Sequence, residues 1–136
     1  MYQLDGKVAI VTGAGGKQGI GRSIAARLAS EGASVAVCDL KDVGTSDWAG
    51  LSAVVDEIKC KGVRSVGLIG SVSNSEDVAS LVEGTISEFG KIDILVNNAG
   101  APAGPDRVPV VDLEEDVWDQ VLSVNLKGTF LMSQAV

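Results

Sequence analysis

Gly13, Gly15, Gly16, Gly19 and Gly21 crowd one turn between an apolar run and a segment of helical periodicity. Without Cβ atoms, such a turn lets backbone N–H groups and a helix N-terminus approach a phosphate closely, so its chemistry is that of a pyrophosphate cradle. A tight strand-to-helix turn with no ligand accounts for the glycines but not for the acidic residue that follows. Asp39 stands about 20 residues beyond Gly19, at the end of the next apolar run, where the adenosine ribose of a bound dinucleotide lies. A carboxylate there accepts hydrogen bonds from both ribose hydroxyls and repels a 2′-phosphate, which favours NAD over NADP. The competing reading of Asp39 is a solvated strand-end aspartate. Lys17, Arg22 and Lys41 are near enough in sequence to pair with a phosphate and temper the preference.

Other chemistries are thinly represented. The chain has no histidine to act as acid, base or metal ligand. Cys38 and Cys60 lack CxxC spacing and read as structural thiols. Arg107, in a loop, could meet an anionic substrate, but the simpler reading is a solvated arginine. A net charge of −7 argues against nucleic acid and against an anionic membrane surface, both of which need clustered lysine and arginine. The N-terminal residues lack a basic stretch followed by an apolar one, and no apolar run nears the roughly 18 residues of a membrane span, so a cytoplasmic protein with a small-molecule partner is expected.

The elements that must position these residues alternate. At 136 residues and 46% hydrophobic content the chain suits one domain, residues 1–136, with a real core. Residues 7–12 form a short β-branched run expected of a parallel strand covered on both faces. Ile20, Ile24, Ala25 and Leu28 then recur at helical spacing, with Gly32 as the stop. Residues 35–39 give a second strand, and Leu51, Val54, Val55 and Ile58 a second amphipathic helix ending before Gly62. Residues 63–69 give a third strand. Ser73 to Glu76 has the spacing of a capping box before a third helix carrying Val78, Leu81, Val82, Ile86 and Phe89. A fourth strand, residues 92–96, runs into Asn97-Asn98-Ala99-Gly100 and a loop holding Pro102, Pro105 and Pro109. A last helix from about Leu113 is apolar round too much of its circumference for a surface helix. The expected fold is α/β: a Rossmann-type doubly wound parallel sheet in three α/β/α layers, incomplete because only strands 1–4 of the usual set are present. A sheet that stops there leaves a bare parallel edge.

The residues resemble a known family, the classical short-chain dehydrogenases/reductases, over essentially the whole chain. Thr12-Gly13 through Gly19-Ile20-Gly21 looks like the family's TGxxxGxG motif, Asn97-Asn98-Ala99-Gly100 is its NNAG motif, and Val124-Asn125-Leu126 resembles the segment holding its structural and catalytic asparagine. By that resemblance Gly13, Gly19, Ile20 and Gly21 line the pyrophosphate, Asp39 holds the ribose, and Asn98, Ala99 and Gly100 lie along the cofactor. Asn97 braces the sheet. Asn125 belongs to a tetrad of asparagine, serine, tyrosine and lysine, its helix backbone holding a water that links the lysine to bulk proton exchange. A plain alternative for Asn97 and Asn125 is a buried, hydrogen-bonded asparagine with no chemical role.

Two departures stand out. Residues 14–18 separate Gly13 from Gly19, a longer spacing than the family's, so Lys17 is expected over the cofactor. Ser71 replaces the usual aspartate facing the adenine amino group, with Val72 still available to pack on the ring. The implied reaction moves a hydride between nicotinamide and the carbon of a small alcohol or ketone, while a tyrosine acidified by a lysine exchanges the proton. The family's serine and Tyr-x-x-x-Lys segment follow a fifth strand and have no counterpart in this sequence; the only tyrosine, Tyr2, precedes the first strand and has Gly6, not lysine, four positions on. The expectation is therefore the N-terminal part of an oxidoreductase, truncated before its fifth strand, that binds NAD without turnover and whose parent is a homo-oligomer. The alternative is a non-catalytic NAD-binding or interaction module.

Overall fold

A computed structural model describes residues 3–42 and 44–136; Tyr2 lies outside them. The strands β1 (Val8–Thr12), β2 (Ser34–Asp39), β3 (Ser65–Ile69) and β4 (Ile94–Val96) form one sheet in the order β3-β2-β1-β4. All three pairings are parallel, with Ile10 aligned to Ala36 on one side and to Leu95 on the other. Order reversal between β1 and β4 opens a crevice at the carboxyl ends of these two strands.

Alternation along the strands divides the core. Ala9 and Val11 of β1 and Val35 and Val37 of β2 face α1 (Ile20–Ser30) and α2 (Leu51–Lys59), meeting Ala25, Ala29, Val54 and Ile58. Ile10, Ala36 and Cys38 face the other way, onto α3 (Ser75–Phe89) and the C-terminal helical run, meeting Val78, Leu81 and Met132. The three-layer α/β/α arrangement follows, and β1, covered on both faces, is buried throughout. β4 is only half-buried, because among the described residues it pairs with β1 alone. The bare edge expected from the sequence is present.

Three local expectations are corrected. The cap of α3 is Asn74, not Ser73: Asn74 Oδ1 accepts the N–H groups of Glu76 and Asp77, at 2.9 and 3.0 Å. An asparagine one position later does the work of the capping-box serine, leaving the Ser73 hydroxyl to pair with Ser71. Ile20 does not join the apolar face of α1 but is 72% exposed at its first position. The last helix is not one regular helix from Leu113. A 3₁₀ turn, Val110–Asp112, precedes α4 (Glu115–Leu122), a π turn spans Ser123–Lys127, and α5 (Gly128–Ala135) continues the run. Its apolar excess lies on the outside, where Trp118, Leu122, Leu126 and Phe130 recur every fourth residue and are exposed.

Candidate functional site

The glycine turn is locked from below. The Thr12 hydroxyl accepts the N–H groups of Asn98 and Ala99, each at 3.0 Å, and donates to the Val96 carbonyl. Asn98 Nδ2 in turn donates to the carbonyls of Thr12 and Gly13, each at 2.9 Å. The turn therefore sits on the loop after β4, and two glycines permit the approach. Gly13 has a φ of +65°, and a Cβ on it would stand 2.8 Å from Ala99 Cα; one on Gly21 would stand 2.5 Å from Asn98 Nδ2.

Above this floor α1 begins without a side-chain cap at Gly19 and without an acidic residue in its first turn. A helix of this length leaves N–H donors and a partial positive charge at that end, which suits the pyrophosphate of a dinucleotide.

Beside it a cleft opens, walled by Gly13, Asp39, Val72, Ala99, Gly100 and Val124. Each strand delivers one part of it from its carboxyl end. Asp39 Oδ2 accepts the Gly15 N–H and Oδ1 the Leu40 N–H, both at 2.8 Å, which fixes the carboxylate at the cleft edge. Cys38 is one of the cleft-lining residues, and burial, then the Asp39 charge, pushes its thiol up to about 12, so it is an uncharged apolar surface. Val72 is held by α5: a Cβ on Gly128 would stand 2.6 Å from Val72 Cγ2, so only glycine admits this contact. Ser71, beside it, has its N–H bonded to Asp77 and its hydroxyl paired with Ser73.

Asn97 and Asn125 are both exposed rather than buried. Asn97 Nδ2 donates to the Ser133 hydroxyl of α5, and Asn125 Oδ1 accepts the Ala101 N–H at 2.8 Å, tying the π turn to the end of the NNAG segment. The Asn125 carbonyl accepts the Thr129 hydroxyl.

Lys17 does not lie free over the cleft. Its ammonium pairs with Asp47 Oδ2 at 2.6 Å, and its carbonyl accepts from Arg22. Trp48, from the same loop as Asp47, donates its indole N–H to the Gly15 carbonyl at 2.8 Å and carries the Arg22 guanidinium on its face. The extended glycine turn is thus braced by the loop between β2 and α2.

Of the residues picked out in the sequence, Gly13, Asp39, Val72, Ala99 and Gly100 share the cleft; Gly19, Ile20 and Gly21 form the adjoining helix start; Asn98 lies beneath, and Asn125 braces the rim. Sequence reasoning missed Gln120 and Val124 as cleft residues. Their separation by one helical turn just before Asn125 was the available signal. It also missed Trp48, which no motif marks. Among the described residues no cluster of three or more His, Cys, Asp or Glu could hold a metal ion, and no helix is long and apolar enough to cross a membrane.

Comparison with known proteins agrees with this fold. Residues 7–136 match the family described as short chain dehydrogenase. The 3-oxoacyl-[acyl-carrier-protein] reductase of Staphylococcus epidermidis is 44% identical over 130 residues, covering 96% of this chain and 49% of that protein. Among solved structures, NAD+-bound xylitol dehydrogenase is 36% identical with a TM-score of 0.86, covering 99% of this chain and 48% of the other. The 3-ketoacyl-(acyl-carrier-protein) reductase of Brucella melitensis complexed with NADH is also 36% identical, with a TM-score of 0.83, covering 97% and 49%. The chain spans about half the length of the curated relatives it matches.

Proposed function

Because the chain belongs to the short-chain dehydrogenase/reductase family, we propose that it is the cofactor-binding part of an NAD-preferring oxidoreductase acting on a small alcohol or ketone. The observation that carries this reading is the convergence of all four strand ends on one cleft beside an uncapped helix start.

In this reading the N-terminus of α1, with Gly13, Gly19, Ile20 and Gly21, binds the pyrophosphate. Asp39 accepts the ribose hydroxyls, Val72 packs on the adenine, and Ala99 and Gly100 line the path toward the nicotinamide. Asn98 acts through its hold on the glycine turn. The nicotinamide, when bound, supplies or accepts the hydride. Asn125 orders the rim through Ala101 and belongs to the proton-transfer tetrad, whose serine, tyrosine and lysine come from outside residues 1–136. The 136 residues by themselves then bind cofactor without turnover. NADP is the weaker ligand, because its 2′-phosphate meets the Asp39 carboxylate. The protein works in the cytoplasm as a homo-oligomer, and the exposed stripe from Trp118 to Phe130 supports the last point.

Calorimetric titration with NAD and NADP tests the reading. NAD is expected to bind more tightly, Asp39→Ser to reverse the order, and NAD with a panel of alcohols and ketones to give no NADH absorbance. Binding of neither dinucleotide overturns the proposal.

A further inference from the structure

Asp39 separates two recesses. One is the cleft described above; the other lies between the glycine turn and the loop after β2, and is lined by Gly16, Lys17, Asp39, Lys41, Thr45 and Trp48. Because Asp39 lines both, a ribose held at Asp39 stands beside the second recess as well as the first. By residue type alone this second recess is basic, since two lysines line it. One of the two is engaged: the Lys17 ammonium lies 2.6 Å from Asp47 Oδ2, and Asp47 Oδ1 accepts the Thr45 hydroxyl at 2.7 Å. The Thr45 N–H donates to the Trp48 carbonyl and the Trp48 N–H to the Thr45 carbonyl, so the loop forms a closed turn, and Trp48 anchors that turn to Gly15. Asp47 is presented to Lys17 by this built turn.

We propose that Asp47 is a specificity-determining residue: it engages the cation of the extended glycine turn and so withholds from a 2′-phosphate the ammonium that could receive it. The selection against a 2′-phosphate then has two parts, repulsion by Asp39 and neutralisation of Lys17 by Asp47. The inference rests on the dinucleotide reading above and names a residue which that reading does not need.

The test is calorimetric titration of the protein with NAD and with NADP, which differ only in the 2′-phosphate. Asp47→Asn keeps the side-chain shape and removes the charge. It is expected to raise affinity for NADP relative to NAD by on the order of tenfold, the scale of one charge-assisted hydrogen bond to phosphate. The gain shrinks at high ionic strength and disappears in the Lys17→Met/Asp47→Asn double variant. An unchanged ratio in Asp47→Asn, or a gain that survives in the double variant, overturns the role of Asp47 and leaves the dinucleotide reading standing. Failure of the unaltered protein to bind either dinucleotide overturns both.

Discussion

Val8 and Asp93 are bonded twice: the Val8 N–H donates to Asp93 Oδ2 at 2.8 Å, and the Asp93 N–H donates to the Val8 carbonyl at 2.8 Å. This pair fixes where β1 and β4 begin side by side, and hence where Thr12 and Asn98 meet at the other end. The Lys91 ammonium beside Asp93, then the Val8 N–H, holds the carboxyl below the usual carboxylate range. A folded pKa below the unfolded one means stabilisation present above the unfolded value of about 3.9 and lost as pH falls through the folded value. Asp93→Asn keeps an acceptor for Val8 but no charge. Its Tm should lie below that of the parent at pH 7, and thermal melts at decreasing pH should show the two proteins converging below about pH 4.

Thr12 carries the junction at the opposite end, so Thr12→Val, nearly equal in shape, strips the acceptor from two part-buried N–H groups. A loss of about 2–3 kcal/mol is expected, the low end for two groups that each cost about 1–3 when fully buried, because these two are only part-buried. Thr12→Ser restores most of it. Urea denaturation of the three proteins measures the difference, and a Val variant as stable as the parent would contradict the hydrogen-bond account.

Gly21 and Gly16 offer a matched pair. A methyl on Gly21 would lie 2.6 Å from the Gly13 carbonyl, whereas the nearest atoms to one on Gly16 are at 3.7 Å. Gly21→Ala should destabilise the protein by about 1–3 kcal/mol through overpacking and weaken nucleotide binding, while Gly16→Ala leaves the fold intact. Denaturation curves alongside dinucleotide titrations check both halves.

The two cysteines should behave oppositely. Cys60 is exposed and Cys38 buried. A thiol reagent at pH 8 should label one cysteine quickly, that fast label should vanish in Cys60→Ser, and Cys38 should react only on unfolding. With the Cys38 thiol pushed up to about 12, the unfolded chain releases its proton first. Stability should therefore fall as pH rises from about 9 toward 12, and Cys38→Ala should flatten that limb of the melt profile.

Much of this arrangement was legible in the residues because burial on both faces leaves a plain signature. β1 reads as Val-Ala-Ile-Val-Thr, with no polar break, and its neighbours on either side are set by the parallel order. The glycine turn, Asp39 and the NNAG segment were equally visible, since a close backbone approach admits few residue types. What escaped depends on partners distant in sequence. Lys17 was expected over the cofactor, but its position is decided by Asp47, in a loop with no periodicity. Ile20 has an apolar side chain at helical spacing, yet the helix start faces the open cleft side, so it is exposed. The π turn at Ser123–Lys127 has no compositional mark; it shows only once α5 is seen pressed on Val72 through Gly128.

The strand order β3-β2-β1-β4 also sets a sequence of events. β1 can pair with β2 once the short crossover through α1 has formed, but its bonds to β4 join residues more than 80 positions apart, as between Val8 and Asp93. Contacts of such separation are costly to close and form late. On a ribosome, the glycine turn emerges early and remains without its floor until Asn98 and Ala99 have followed. The glycine turn, made before the rest of this stretch, is thus among the last of its parts to acquire its final shape, which waits on synthesis of the stretch as far as Ala99.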